Sequence, residues 1–319
     1  MRFTSVTSVF VALAVSLMAG RAGAQAGPSP ISGSESTHNE ELEDKVLNGE
    51  PEVKKPWEVG GIFETHRAVV QEDTSNARNK VYNILYLHGQ WDITERNRVY
   101  VRGAAIQRFI ADSAENGIRL DDFLLKYTRY IPLPAKFDFR VHGTLYAPTS
   151  FSSQKSGLIT EPRLTLQLER SVGDFDLSLR LFGEYFWTKY RTMEGGNPNA
   201  KWRAEAIADV VYSMPFHKPL QIGVSAFTGY LWYYDVQSSQ QTNTGVVASV
   251  DGGQPVGQEY GGEAYVKYTL PRVAKISSDI SVSYAQGDGT SVLHDGVRQA
   301  YPVFYRNTSQ VYAAFSARY

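Results

Sequence analysis

Six histidines, His38, His66, His88, His142, His217 and His294, are the side chains of this sequence best suited to proton transfer near neutral pH. One has a carboxylate beside it: Asp295 follows His294, and Asp288 lies earlier in the same polar stretch. Such a dyad can activate water for hydrolysis, but only if the base is held rigidly and the water is positioned. A Gly-flanked loop supplies neither, so a surface hydrolase working through His294 is the weakest of the functional readings. Calcium-loop spacing is absent, because Gly289 after Asp288 is followed by Thr290. Gly287-Asp288-Gly289 lacks the rest of a phosphate-cradling pattern. His66 and His88 fall on neighbouring segments and could meet, a pairing that is more often hydrogen-bonded than metal-binding. There is no cysteine, hence no disulfide, thiol chemistry or thiolate metal site. The expectation is a chain with no catalytic residue, no metal and no cofactor.

The remaining charged side chains show a different kind of order. They recur at every second position along segments whose alternate positions are apolar. In one segment Phe175, Leu177, Leu179, Leu181, Gly183, Tyr185 and Trp187 share a parity, and Asp176, Ser178, Arg180, Phe182 and Glu184 share the other. Trp202, Ala204, Ala206, Ala208, Val210 and Tyr212 likewise oppose Arg203, Glu205 and Asp209. A period of two is that of a β-strand with two unlike faces. The charged parity collects Arg98, Arg102, Arg140, Arg163, Arg180, Glu184, Arg203, Glu205, Asp209, Glu263, Lys267 and Arg318, among others. Both signs are present, so these groups can line a wet interior or lock together as an ionic network. Arg98, Arg102 and Arg108 on one segment could form a basic ladder that attracts anions.

The elements that must carry these residues follow from the same alternation. From Trp57 onward there are twelve segments, near 57–67, 80–93, 97–110, 118–130, 136–147, 158–170, 174–188, 200–213, 219–235, 258–270, 275–286 and 308–319. They are long for soluble strands and long enough to cross a bilayer when tilted. Short connections alternate with long ones, the two longest being 236–257 and 287–307. The second of these carries an aromatic cluster, Tyr301 to Tyr305. No helical segments are available to cover the apolar parity, and lipid is its natural cover. The five tryptophans, Trp57, Trp91, Trp187, Trp202 and Trp232, all lie on the apolar parity near segment ends, as in the interfacial aromatic girdles of a membrane barrel. Leu124 beside Leu125, and Gly103-Ala104-Ala105, suggest a bulge or register shift.

The amino terminus points to the same compartment. Arg2, an apolar run from Val9 to Met18 and Ala22-Gly23-Ala24 describe a secretory signal peptide over residues 1–24, cleaved after Ala24. Residues 25–55 are polar and read as a flexible periplasmic leader, or as a plug folded into the barrel. Residues 56–319 form the barrel. With 32 Lys and Arg against 33 Asp and Glu, the near-neutral balance argues against a nucleic-acid partner.

The last residues, Thr308-Ser-Gln-Val-Tyr-Ala-Ala-Phe-Ser-Ala-Arg-Tyr319, alternate cleanly and end on an aromatic. This resembles the closing strand of bacterial outer-membrane β-barrel proteins. The resemblance covers residues 57–319 in architecture but matches motif by residue only in this strand. It implies an all-β, antiparallel, up-and-down transmembrane barrel of twelve strands in the bacterial outer membrane. It also implies contact with outer-membrane lipid, and an assembly signal at Phe315 and Tyr319 that the barrel-assembly machinery reads. The expected function is a narrow, porin-like channel for small polar or charged solutes. The alternative is a non-conducting structural barrel, its lumen closed by salt bridges, that anchors periplasmic or surface protein partners.

Overall fold

The computed structural model describes residues 56–68, 81–109, 117–134, 137–192, 199–234, 256–273, 275–286, 292–294, 297–299 and 309–319. The expected signal peptide over residues 1–24, the leader or plug over residues 25–55, Asp288, Asp295, most of 236–257 and residues 300–308 lie outside them.

The alternating segments are strands. In chain order they are β1 (Trp57–Ala68), β2 (Val81–Thr94), β3 (Asn97–Phe109), β4 (Gly117–Leu120), β5 (Phe123–Leu133), β6 (Phe137–Ala147), β7 (Leu158–Val172), β8 (Phe175–Tyr185) and β9 (Trp187–Thr188). They continue as β10 (Ala200–Ser213), β11 (Leu220–Tyr233), β12 (Val256–Thr269), β13 (Ser277–Gln286), β14 (Val292–His294), β15 (Val297–Gln299) and β16 (Ser309–Arg318). β4 with β5, and β8 with β9, each make one interrupted stave. Strands β14 and β15 form a hairpin apart from the wall. Twelve antiparallel staves remain, each bonded to its sequence neighbour, and β16 bonds to β1. The sheet therefore has no free side edge, which removes the open row of backbone donors and acceptors that hydrocarbon cannot satisfy.

The closing seam runs from Gly60 opposite Arg318 to Ala68 opposite Gln310. At its foot Val59 and Tyr319 exchange both backbone hydrogen bonds, at 3.3 and 2.9 Å. The Tyr319 ring lies 6.1 Å from that of Trp57. At one end of the barrel Trp57 stands directly opposite Trp91, and at the other Trp202 stands opposite Trp232. With Trp187 they occupy the two ends at which the girdles are expected, Trp232 half-buried and the other four exposed. Among the described residues no helix is long and apolar enough to cross a membrane; the strands do the crossing.

Burial settles which parity faces out. Leu164, Leu181, Val224 and Val282 are 56%, 45%, 56% and 53% exposed, whereas Arg102, Glu184 and Arg203 are 2%, 1% and 3% exposed. A soluble protein places these classes the other way round. The outward face is an apolar belt, and the charges are inside with three small apolar clusters, one of them Phe182, Ile207 and Phe227.

The structure departs from the sequence reading in three places. The fourth stave is broken at Asp121-Asp122, not at Leu124-Leu125, which alternate normally with Leu124 fully buried and Leu125 outward. Gly103-Ala104-Ala105 is regular strand paired to Leu87, Tyr86 and Leu85. The connection after β6 contains a short helix, α1 (Phe151–Ser156), capped by the Ser150 side chain accepting from the Ser153 amide. Asp122 explains both the break and the helix. It leaves the ladder to accept from the Ser150 amide at 2.7 Å and from the Ser153 hydroxyl, tying α1 to the barrel end.

One inward glycine shows how tightly the interior is packed. Gly223 is opposite Tyr265, whose ring lies across it, and a Cβ at Gly223 would overlap that ring. Gly223→Ala is expected to destabilise the barrel by about 1–3 kcal/mol through overpacking. Unfolding in lipid vesicles would measure it. Adding Tyr265→Ala should return most of the loss, and a double variant no better than the single one would refute the packing account.

Candidate functional site: the charged interior

All twelve lumen residues expected from the sequence lie on the inward parity. Eleven are buried, and Arg140 is half-buried. The structure divides them into separate groups because pairing across the wall, not order along the chain, decides which of them meet.

The largest group spans five staves towards the α1 end and draws its charges from four of them. Arg163 of β7 donates to Glu184 of β8 at 2.6 Å and lies 3.5 Å from Glu161. Arg203 of β10 lies 3.5 Å from the other Glu184 oxygen and 2.9 Å from both Glu205 and Glu259. Glu259 is on β12, so the Arg203 contact passes over β11. The residue of β11 at that level is Gly229, opposite Glu205 on one side and Glu259 on the other. A Cβ there would lie 3.1 Å from Glu205 Cβ and Cγ and 2.8 Å from the Ala204 carbonyl oxygen. The missing side chain leaves the gap that this ionic bridge crosses. Each guanidinium also lies over the Phe182 ring, at 4.6 Å for Arg163 and 5.8 Å for Arg203.

A second group lies at the opposite end of the lumen. Arg98 donates to Asp92 at 2.6 Å, and Arg140 lies 2.7 Å from Glu169. Both guanidiniums flank the Tyr130 ring, at 5.6 and 5.1 Å. His142 bridges Thr128 and Gln167 at 2.9 and 2.8 Å. Nearby on the seam, Arg318 donates to Asp279 at 2.7 Å. The third group surrounds His66, which lies 2.8 Å from Glu64 and is stacked between Tyr82 and Tyr312 at 4.5 and 4.7 Å. Tyr312 donates to Glu263. Arg180 approaches Asp209 to 3.8 Å.

These contacts correct two expectations. Arg98 and Arg102 do not stand as free cations of a basic ladder: Arg98 is bound to Asp92 and Arg102 lies 5.0 Å over Tyr86, while the Arg108 side chain lies outside the described residues. His66 and His88 both face inward but do not meet. His66 is held by tyrosines, while His88 stacks 5.7 Å from Tyr100. The His294 side chain also lies outside the described residues. Among the described residues no cluster of three or more His, Asp or Glu can hold a metal.

Sequence reasoning missed Glu161 and Glu259, although each shares the parity of a charged residue already singled out, Arg163 and Glu263. It also missed the inward aromatics. Tyr86, Tyr100, Tyr130, Tyr146 and Phe182 each carry at least one cation over the ring. Their parity was legible, Phe182 falling on the charged parity of its segment, but not the pairing of each ring face with a cation.

No family model matches the chain, and no curated protein does. Solved structures do. An outer-membrane channel from Pseudomonas putida F1 aligns over 85% of this chain and 100% of that one, at 11% identity and a TM-score of 0.51. The NanC porin aligns over 82% and 98%, at 9% identity and a TM-score of 0.45. The KdgM porin aligns over 82% and 98%, at 8% identity and a TM-score of 0.41. At 11% identity the likeness to the Pseudomonas putida channel is one of fold alone.

Proposed function

We propose that this chain forms a narrow channel through the bacterial outer membrane for small polar or charged solutes. The observation that carries the proposal is the inward parity. Charged and hydrogen-bonding groups of both signs line the barrel from the level of Arg98 to that of Glu259, with an apolar belt outside. A structural strut needs no such lining, because apolar residues could fill it with less desolvation. The signal peptide supplies export, and the aromatic-ended β16 supplies the feature that the assembly machinery would read at Phe315 and Tyr319.

The test is electrical. Purified barrel in a planar bilayer is expected to give discrete unitary currents that fall in the presence of a permeant small ion larger than chloride. A folded barrel that stays silent at all voltages would overturn the channel reading.

One observation favours the second reading, a non-conducting anchor for an envelope assembly. The inward charges are buried and extensively paired, as in a closed ionic plug. In that case mild extraction should bring down a stoichiometric protein partner, and isolation of bare barrel would remove its support.

A further inference from the structure

We infer that Lys126 is the anion seat of the lumen and the residue that sets its charge preference; this rests in part on the channel reading above. Lys126 lies on the inward face of β5 and is 5% exposed. Its ammonium sits 4.8 Å from the centre of the Tyr100 ring. Several inward cations are matched by acids: Arg98 by Asp92, Arg140 by Glu169, Arg163 by Glu184, and Arg318 by Asp279. Among the described residues no carboxylate lies within ion-pair distance of Lys126. A ring face attracts a cation but brings no counter-charge. A buried ammonium without a counter-charge is costly, and an anion that reaches it relieves that cost.

The neighbouring staves give the seat its other walls. Lys126 is opposite Tyr100 on β3 and Thr144 on β6. Thr144 is in turn opposite Arg163, and Arg102 is one inward position further along β3 from Tyr100. Arg102 is thus on a stave adjacent to Lys126, while Arg163 is one stave beyond β6 and is bound by Glu184 and Glu161. Thr144 is a buried hydroxyl at its side, and Tyr100, Leu124 and Tyr146 form an apolar floor beneath. An ammonium donor, a hydroxyl and an apolar floor fit a small monoanionic group, carboxylate or phosphate, better than they fit a cation or a neutral sugar.

The test compares the wild-type barrel with Lys126→Met and Lys126→Arg. Reversal potentials in a potassium chloride gradient report the anion-to-cation permeability ratio. This ratio is expected to fall about threefold or more in Lys126→Met and to be kept in Lys126→Arg. Chloride NMR line broadening by detergent-solubilised barrel reports binding without conduction. The broadening should be lost in Lys126→Met. In the wild type it should be competed away by acetate if the seat takes carboxylates, and by phosphate alone if it takes phosphates. A folded Lys126→Met barrel with unchanged permeability ratio and unchanged broadening overturns the inference. A silent wild-type barrel whose chloride broadening still depends on Lys126 would sink the channel reading and leave the anion seat standing.

Discussion

Arg203→Met is expected to destabilise the folded barrel by about 3–5 kcal/mol, the usual cost of breaking a buried ionic cluster from one side. Arg203 is the shared cation of Glu184, Glu205 and Glu259, and its side chain is 3% exposed. Removing it leaves Glu184, Glu205 and Glu259, with Glu161 beside them, and only Arg163 to answer all four. The loss should be largely recovered when Glu205→Gln and Glu259→Gln accompany the change, because the amides keep hydrogen-bonding capacity without charge. Urea unfolding in lipid vesicles, followed by tryptophan fluorescence, would measure both effects. An Arg203→Met barrel within about 1 kcal/mol of wild type would mean that water reaches the cluster freely.

Leu181→Arg is expected to cost about 2–4 kcal/mol, whereas Val172→Arg should cost about 1 kcal/mol or less. Both positions face outward and are close in exposure, 45% and 50%. They differ in depth. Leu181 is near the middle of β8, whereas Val172 ends β7 beside the turn to β8. On a protein in water two half-exposed sites of this kind would respond alike. A depth-dependent penalty arises only if the belt contacts hydrocarbon. The same unfolding assay decides it, and equal, small effects at both sites would refute a lipid-facing surface.

Much of this architecture was legible because a two-residue period is a strong constraint. Once Leu177 to Trp187 is placed on one face, Arg180 and Glu184 must share the other, and the same split recurs on stave after stave. What alternation cannot give is stagger. It tells that Arg203 and Glu259 face inward but not that they meet, since that depends on the register of β10, β11 and β12 and on Gly229 between them. The break at Asp121-Asp122 was hidden for a related reason. Its cause is a hydrogen bond to Ser150, distant along the chain, while Leu124-Leu125 carried a local irregularity of pattern with no structural counterpart. Helix α1 has six residues and no apolar periodicity, so its only sequence signal is the Ser150 cap.

The β1–β16 pairing has a consequence for how such a molecule comes into being. Every other junction of the wall joins strands consecutive or nearly so in sequence and can zip as a hairpin. This one joins the opposite ends of the described chain, and its loop must close over everything between. Until it does, the sheet is a ribbon with two sticky margins and a greasy side. Completion is therefore all-or-nothing at a single late step, and a copy stalled before that step would be a target for aggregation or proteolysis.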